Sequence, residues 1–548
     1  MNKELAAHVL DEIFRAGVRE LCVCAGARNS PLVSLLSQDT RFRTFRHFEE
    51  RSAAFFALGR IKATGLPFAV LTTSGTAAAE LLPATMEAHY SGLPLVLVTA
   101  DRPRRFRGTG APQTAEQVGL FGVYVEAGLD LAGSERMDIA AWSRTRPLHV
   151  NVCFEEPLLE AADEPGVRSG GQAASLMPTG QSEEAARHRL TETRARVGEF
   201  LEASRSPLVI VGALTPEERP PALEFLLALG APVLAESLSG LREHPALQPL
   251  ALRAGQGALV RKSASGGSAA WMDGVIRLGS VPTLRLWRDL EGPLQRLPLL
   301  SLSSQPFPGA SHGAFVHAPL AQVLGLLAAG VAPVRQETRL ADLLARDRAL
   351  DAAVLHLLRE EARSEPGLIH RLSEHIPAGA RVFLGNSLPI REWDLAATRS
   401  PRDLEMGASR GLNGIDGQLS TFLGFSLEGR ENWALLGDLT ALYDMAAPWI
   451  LRQLPSLRVH AVVINNGGGK IFDRMFADAA FQNRHELSFE HLARFWGLDY
   501  EAWEAVPAAP PPSPGRDRSL TEIIPDEAAT RRFWQAHDAL MAGAGEGT

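Results

Sequence analysis

Apolar residues in this chain come in short runs, separated by turns and by stretches with helical spacing. Residues 4–16 carry apolar side chains three and four apart, which predicts a helix, and Leu21-Cys22-Val23-Cys24 predicts the first strand. Helices follow at 32–36, at 52–61 and from 73–78, with strands at 68–72, 95–99 and 147–152. The middle third repeats the alternation more weakly, with strands at 208–211, 232–235, 274–278 and 297–302. A charged helical stretch (337–363) leads to strands at 381–384, 433–436 and 459–464. Helical spacing fills 441–454, and a strand at 520–525 and a short polar helix end the chain. Strand and helix alternating throughout predict an α/β protein of doubly wound parallel sheets. A Gly/Ser/Pro-rich linker at 165–185 and an irregular Pro-rich stretch at 505–515 punctuate it. The expected domains are 1–180, 190–335 and 345–548.

Composition narrows the class. A chain of 548 residues is too long for one core. Its 45% hydrophobic and 22% charged content is that of an ordinary globular protein. A net charge of −8 with scattered arginines argues against a nucleic-acid partner. Cys22, Cys24 and Cys153 are the only cysteines, which fits a reducing compartment and offers no zinc spacing. With no basic-then-apolar leader and no run of about 18 apolar residues, a cytoplasmic protein without membrane contact is expected.

Candidate chemistry centres on Gly437-Asp438-Leu439, after the strand at 433–436, and on Asn465-Asn466-Gly467-Gly468-Gly469, after the strand at 459–464. Both turns end strands, where open α/β sheets bind ligands. A carboxylate, an amide oxygen and a backbone carbonyl suit Mg²⁺, and glycines let the backbone approach a diphosphate. An Asp N-cap and an ordinary Asn-Gly turn would explain the same residues structurally. Further candidates lie in turns after strands: Gly26-Ala27-Arg28-Asn29-Ser30-Pro31, a ready anion site, and Thr99-Ala100-Asp101-Arg102-Pro103. Glu49-Glu50 at a helix start is explicable by the helix dipole alone. Arg285, after a strand, reads on its own as a solvated arginine.

Together these segments resemble the thiamine-diphosphate enzymes. Among them they resemble the menaquinone-pathway synthases of 2-succinyl-5-enolpyruvyl-6-hydroxy-3-cyclohexene-1-carboxylate. The resemblance rests on the segments above, on His47-Phe48-Glu49-Glu50-Arg51, Thr73-Ser74-Gly75-Thr76 and Gly385-Asn386-Ser387, and on Arg410 through Gly417 and Asn465 through Phe472. It implies pyrimidine-binding, central and diphosphate-binding domains in that order. It also implies decarboxylation of 2-oxoglutarate on thiamine diphosphate and Stetter-type addition of the succinyl carbanion to isochorismate. Glu50, rather than Glu49, is then the catalytic carboxyl that hydrogen-bonds the aminopyrimidine ring. Mg²⁺ (or Mn²⁺) falls to Asp438, Asn466 and the Gly468 carbonyl. Ser387, Ile415, Gly437, Leu439, Ile471 and Phe472 complete the cofactor site, Ile415 as the apolar wedge that keeps the cofactor bent. Both substrates are dicarboxylates, which arginine captures bidentately. Arg28, Arg102, Arg285, Arg391 and Arg410 are the expected substrate contacts, with Gln113, Asn386 and Ser387. In this family the site forms between two chains, which implies a homodimer or homotetramer.

Ala25, Ala27, Pro112, Arg285 and the 505–515 stretch depart from the family pattern and bear on substrate affinity more than on chemistry. Two other readings share some of these residues. An acetolactate-synthase-type carboligase or 2-oxoacid decarboxylase would keep Glu50 and the metal motif without needing the arginines. A cofactor-free scaffold would need neither.

Overall fold

The computed structural model describes residues 1–159, 183–254, 259–262, 268–334, 337–476, 478–508 and 517–543. Most of the expected linker (165–182) and of the Pro-rich stretch (509–515) lies outside the described residues.

The alternation predicted from the sequence is present. The first sheet contains β1 (Glu20–Val23), β2 (Arg43–Arg46), β3 (Phe68–Thr72), β4 (Leu95–Asp101), β5 (Ala127–Ala132) and β6 (Leu148–Cys153). Its strands run parallel in the order β2-β1-β3-β4-β6-β5. Every residue of β3, β4 and β6 is buried, so these central strands read as unbroken apolar runs. Five more strands build the second parallel sheet: β7 (Pro207–Val211), β8 (Val233–Ala235), β11 (Gly274–Leu278), β12 (Leu299–Ser303) and β13 (Ala314–His317), in the order β13-β12-β11-β7-β8. A small antiparallel hairpin joins β9 (Val260–Lys262) and β10 (Ser268–Ala270). The third sheet contains β14 (Arg381–Leu384), β15 (Glu405–Gly407), β16 (Glu431–Gly437), β17 (Arg458–Ile464), β18 (Asp499–Trp503) and β19 (Arg518–Ile523). Its order, β15-β14-β16-β17-β19-β18, repeats that of the first sheet strand for strand.

The chain packs as two compact units. The first comprises residues 1–180, 407–459 and 491–498. In it, Leu5, Val9, Leu10 and Ile13 of the helix Asn2–Arg15 join Val96, Val98, Val150 and Val152 of the sheet in one core. The helix Glu50–Thr64 is buried all round along its middle, where every residue from Ser52 to Ile61 is buried. Phe56 sets its ring 5.1 Å from Phe45 and 6.1 Å from Phe68, both edge-on. The same helix also meets the helix Gln418–Phe425, itself wholly buried. Contact is backbone to backbone: a Cβ on Gly59 would lie 2.0 Å from the Thr421 carbonyl, and one on Gly424 2.1 Å from that of Phe56.

The second unit holds residues 181–406, 460–490 and 499–548. Its five-stranded sheet shows the period of two: Val209, Val211, Ile276 and Leu278 enter one core, while Leu208, Ile210 and Val275 enter another. The first core takes Phe225 and Leu226 with Val323 and Leu324; the second takes Leu286 and Trp287 with Leu343 and Leu344. Helices therefore cover both faces, as a doubly wound sheet requires. Among the described residues no helix is long and apolar enough to cross a membrane.

Candidate active site

In the first unit, four loops at the carboxyl ends of the first sheet carry predicted residues. The turn after β1 is stapled by Asn29, which accepts from the Gly26 N–H at 3.0 Å and donates to the Cys24 carbonyl at 2.9 Å. Gly26 must lack a side chain, because a Cβ there would lie 2.5 Å from Thr73. Arg28 is buried; it donates to the Phe154 carbonyl at 3.2 Å and pairs with Glu156 at 3.0 Å. Arg102 donates to the Pro112 carbonyl at 2.7 Å, which ties it to the loop bearing Gln113. Gln113 is exposed and takes a φ of +55°, a left-handed conformation uncommon for a side-chain-bearing residue. Four residues on, Gln117 is fully buried. It accepts from the Gly75 N–H at 2.9 Å and donates to Asn151 at 2.8 Å, linking the loops after β3 and β4 to β6. Sequence reading picks out Gln113 and misses Gln117, whose role depends on a contact 34 positions away.

Glu49 and Glu50 divide the work at the next helix. Glu49 is the N-cap: its carboxylate accepts from the N–H groups of Arg51 (3.0 Å) and Ser52 (2.9 Å). Its own N–H donates to His47 Nδ1 at 3.1 Å, and burial holds that imidazole down at about 4, hence neutral. Glu50 bonds no other side chain among the described residues. Burial raises its carboxyl above the ordinary range, and the neighbouring Glu49 and Glu80 add to the rise.

In the same unit, Glu87 accepts from the N–H groups of Gly411 and Leu412, both at 2.8 Å, and so fixes the segment that begins at Arg410. Ile415 is half-buried in the turn that follows, where Gln418 donates to the Gly414 carbonyl at 2.8 Å. Gly417, at φ +62°, lies against Phe55: a Cβ there would sit 1.9 Å from its ring. Gly437 ends β16, and Asp438 is buried with its carboxylate accepting from the Leu439 N–H at 2.6 Å.

The second unit holds the remaining candidates. Asn386 is fully buried. Ser387 sits at φ +74° and ψ −129°, a region that costs a non-glycine residue on the order of 1–3 kcal/mol. Gly75, which like Ser387 directly precedes a helix after a strand, has nearly the same angles, +83° and −137°. The Ser387 carbonyl accepts from Arg391 at 2.5 Å. Arg285 starts the helix Arg285–Asp289 with its side chain 68% exposed and pairs with Asp289 at 3.7 Å. Asn466 donates from Nδ2 to both oxygens of Glu365, at 3.0 and 3.2 Å. An amide facing a carboxylate must present its nitrogen, so Oδ1 points away; that oxygen is buried and has no partner among the described residues. Behind it Glu392, also buried, is pushed far up by burial and by Glu365 beside it. Gly468, at φ +136°, would drive a Cβ to 2.7 Å from the Asn483 carbonyl. Its carbonyl accepts from the Lys470 N–H at 2.9 Å. Ile471 and Phe472 lie in the short turn Lys470–Phe472, with the Phe472 ring 6.1 Å from that of Phe476.

Residues 3–120 match the family described as thiamine pyrophosphate enzyme, N-terminal TPP binding domain. The 2-succinyl-5-enolpyruvyl-6-hydroxy-3-cyclohexene-1-carboxylate synthase of Bdellovibrio bacteriovorus is 41% identical over 544 residues, covering 98% of this chain and 99% of that protein. The synthase of the same name from Akkermansia muciniphila is 38% identical, with 96% of each chain covered. Among solved structures, an enzyme from Mycobacterium smegmatis assigned as thiamin diphosphate-dependent has the same fold, with a TM-score of 0.62 at 16% identity over 95% of this chain and 99% of that one. Similarity of this extent and level leaves one assignment: the chain belongs to the 2-succinyl-5-enolpyruvyl-6-hydroxy-3-cyclohexene-1-carboxylate synthases, a family of thiamine-diphosphate-dependent enzymes.

Proposed function

We propose that this chain joins 2-oxoglutarate to isochorismate, with loss of CO₂, in cytoplasmic menaquinone biosynthesis. The observation that carries the reading is the match to named synthases over essentially the whole chain. Residues 1–180 would form the pyrimidine-binding domain, 190–335 the central domain and 345–548 the diphosphate-binding domain, with two chains completing each site.

Thiamine diphosphate, when bound, would supply a nucleophilic carbon for the 2-oxoacid carbonyl and a ring that delocalises the electron pair released with CO₂. The residues present fit it and a divalent cation. Asn466 Oδ1 is a buried oxygen with no partner among the described residues, and we assign it, with the Asp438 carboxylate and the Gly468 carbonyl, as the donors that would suit Mg²⁺ or Mn²⁺. Gly437, Leu439, Ile471 and Phe472 would line the diphosphate, and Ile415 the rings. Glu50 is a carboxyl whose proton affinity is raised by burial, the property needed to hold and return a proton at the aminopyrimidine ring. Arg28, Arg102, Arg391 and Arg410 would take the substrate carboxylates, with Gln113, Asn386 and Ser387 orienting them and Arg285 reaching in from an exposed position. The test is isochorismate consumption by purified protein with thiamine diphosphate, Mg²⁺ and either 2-oxoglutarate or pyruvate. Consumption with 2-oxoglutarate alone is expected. Use of pyruvate instead would assign a carboligase of acetolactate-synthase type.

A further inference from the structure

Asp444 is fully buried at the end of the short helix that Asp438 begins. Its carboxylate accepts three hydrogen bonds: from the Ser420 N–H at 2.7 Å, from Ser420 Oγ at 2.9 Å and from Ser52 Oγ at 3.1 Å. Ser52 is itself fully buried in the first turn of the helix that starts at Glu50. The residue before Asp444 grips the residue before Ser52: Arg51 donates to the Tyr443 carbonyl at 2.9 Å and lies 4.8 Å above the Tyr443 ring. Two consecutive residues from the far end of the chain thus hold the two residues that follow Glu50.

A buried carboxylate is a costly way to fill space, since an apolar side chain of similar size packs there without desolvating a charge. What it gains is direction: its oxygens fix two hydroxyls and one N–H in a single geometry, on a helix whose next turns are locked by the contact of Gly59 with Gly424. Glu49 caps the same turn from inside its own helix, so Glu50 lies between a local restraint and a distant one.

We propose that Asp444 is a positioning residue for Glu50, acting through Ser52 and, with Tyr443, through Arg51 to set the first turn of the Glu50 helix. The proposal rests on Glu50 being the proton-handling carboxyl of the proposed function. Ser52→Ala tests it with the least disturbance, because Asp444 keeps both bonds to Ser420. In the cofactor-free protein, amide hydrogen exchange of peptides spanning residues 49–55 is expected to quicken. In the loaded enzyme, kcat and the exchange rate of the cofactor's C2 proton are expected to fall together by about ten- to a hundredfold. KM for either substrate and calorimetric affinity for thiamine diphosphate with Mg²⁺ should stay within about twofold, because neither ligand meets Ser52. Asp444→Asn, which keeps the shape and can still bond both serines, should retain most of the rate that Asp444→Ala loses. Adding Ser52→Ala to Asp444→Ala should cost little more, since both break one connection. Unchanged amide exchange and C2-proton exchange in Ser52→Ala would overturn the proposal, as would losses in kcat that add when the two substitutions are combined. Normal C2-proton exchange in Glu50→Gln is a different failure: it removes the role of Glu50 itself.

Discussion

Gly59→Ala puts the helix contact under the Glu50 helix to a quantitative test. Alanine is the better helix former by about 1 kcal/mol, so propensity alone predicts a more stable protein. The structure predicts the reverse. The new Cβ would lie 2.0 Å from the Thr421 carbonyl oxygen and 2.6 Å from the Phe425 nitrogen, where ordinary contact begins at 3.4 Å. Both neighbours are backbone of a buried helix and cannot rotate aside. The helices must part by about 1.4 Å. A gap of about 1 Å already forfeits up to half of the dispersion energy of the facing atoms, and overpacking a core costs about 1–3 kcal/mol or more. The penalty exceeds the propensity gain, for a net loss of about 1–2 kcal/mol or more and a fall of a few degrees in the thermal midpoint. Gly198→Ala is the control. Gly198 lies in the helix Glu183–Ala203, and a Cβ added there would meet nothing within 4 Å, so the same substitution should stabilise by up to about 1 kcal/mol. Thermal unfolding followed by circular dichroism reads both variants. A Gly59→Ala protein that melts at or above the wild type would refute the close-contact reasoning.

Three further outcomes follow from the site. Glu50→Gln should lower turnover by about 10²-fold or more while calorimetric binding of thiamine diphosphate is kept; an active variant would move the proton-handling role elsewhere. Glu365→Leu removes the acceptor that orients the Asn466 amide, and Mn²⁺ affinity, read by electron paramagnetic resonance in the presence of diphosphate, should fall about 10–100-fold. Glu365→Gln can still accept from that amide and should lose far less; equal affinity in all three proteins would show that Asn466 is not oriented this way. Burial raises the Asp444 carboxyl to about 6, above its unfolded value, so the fold favours its protonated form. The stability this group contributes is present below the unfolded pKa of about 3.9 and is lost as pH rises to about 6. The thermal midpoint of Asp444→Asn relative to wild type should therefore climb between pH 4 and 6 and then level off; a difference independent of pH would contradict that burial.

Apart from β8, an edge strand read at 232–235, the strands legible in the sequence lie inside their sheets and those not legible lie at edges. β3, β4, β6 and β7 are buried on both faces and announce themselves as apolar runs. β2, β5, β13, β15 and β18 were not legible, and each is an edge strand. Arg43-Thr44-Phe45-Arg46 buries one residue and Ala127–Ala132 also one, so solvent-facing polar positions mask the pattern. The stretch 441–454, read as one helix, is a helix to Tyr443 and then a tighter 3₁₀ turn from Ala447, which opens on Pro448. The candidate residues carried by turns were legible because glycine, asparagine and aspartate mark turns wherever they cluster. Their supporting residues were not. Ser52 and Asp444 meet across 392 positions, and Asn466 and Glu365 across 101. Ser52, Asp444 and Glu365 each read alone as an ordinary polar residue, and only the fold gives them partners.

The proposed function stands on the transfer of a succinyl unit from 2-oxoglutarate to isochorismate. Uniformly ¹³C-labelled 2-oxoglutarate, supplied with unlabelled isochorismate, thiamine diphosphate and Mg²⁺, tests it by mass spectrometry of the product and of the gas released. One labelled CO₂ is expected for each isochorismate consumed, with a product carrying all the succinyl carbons. Labelled CO₂ released with isochorismate left intact would contradict it.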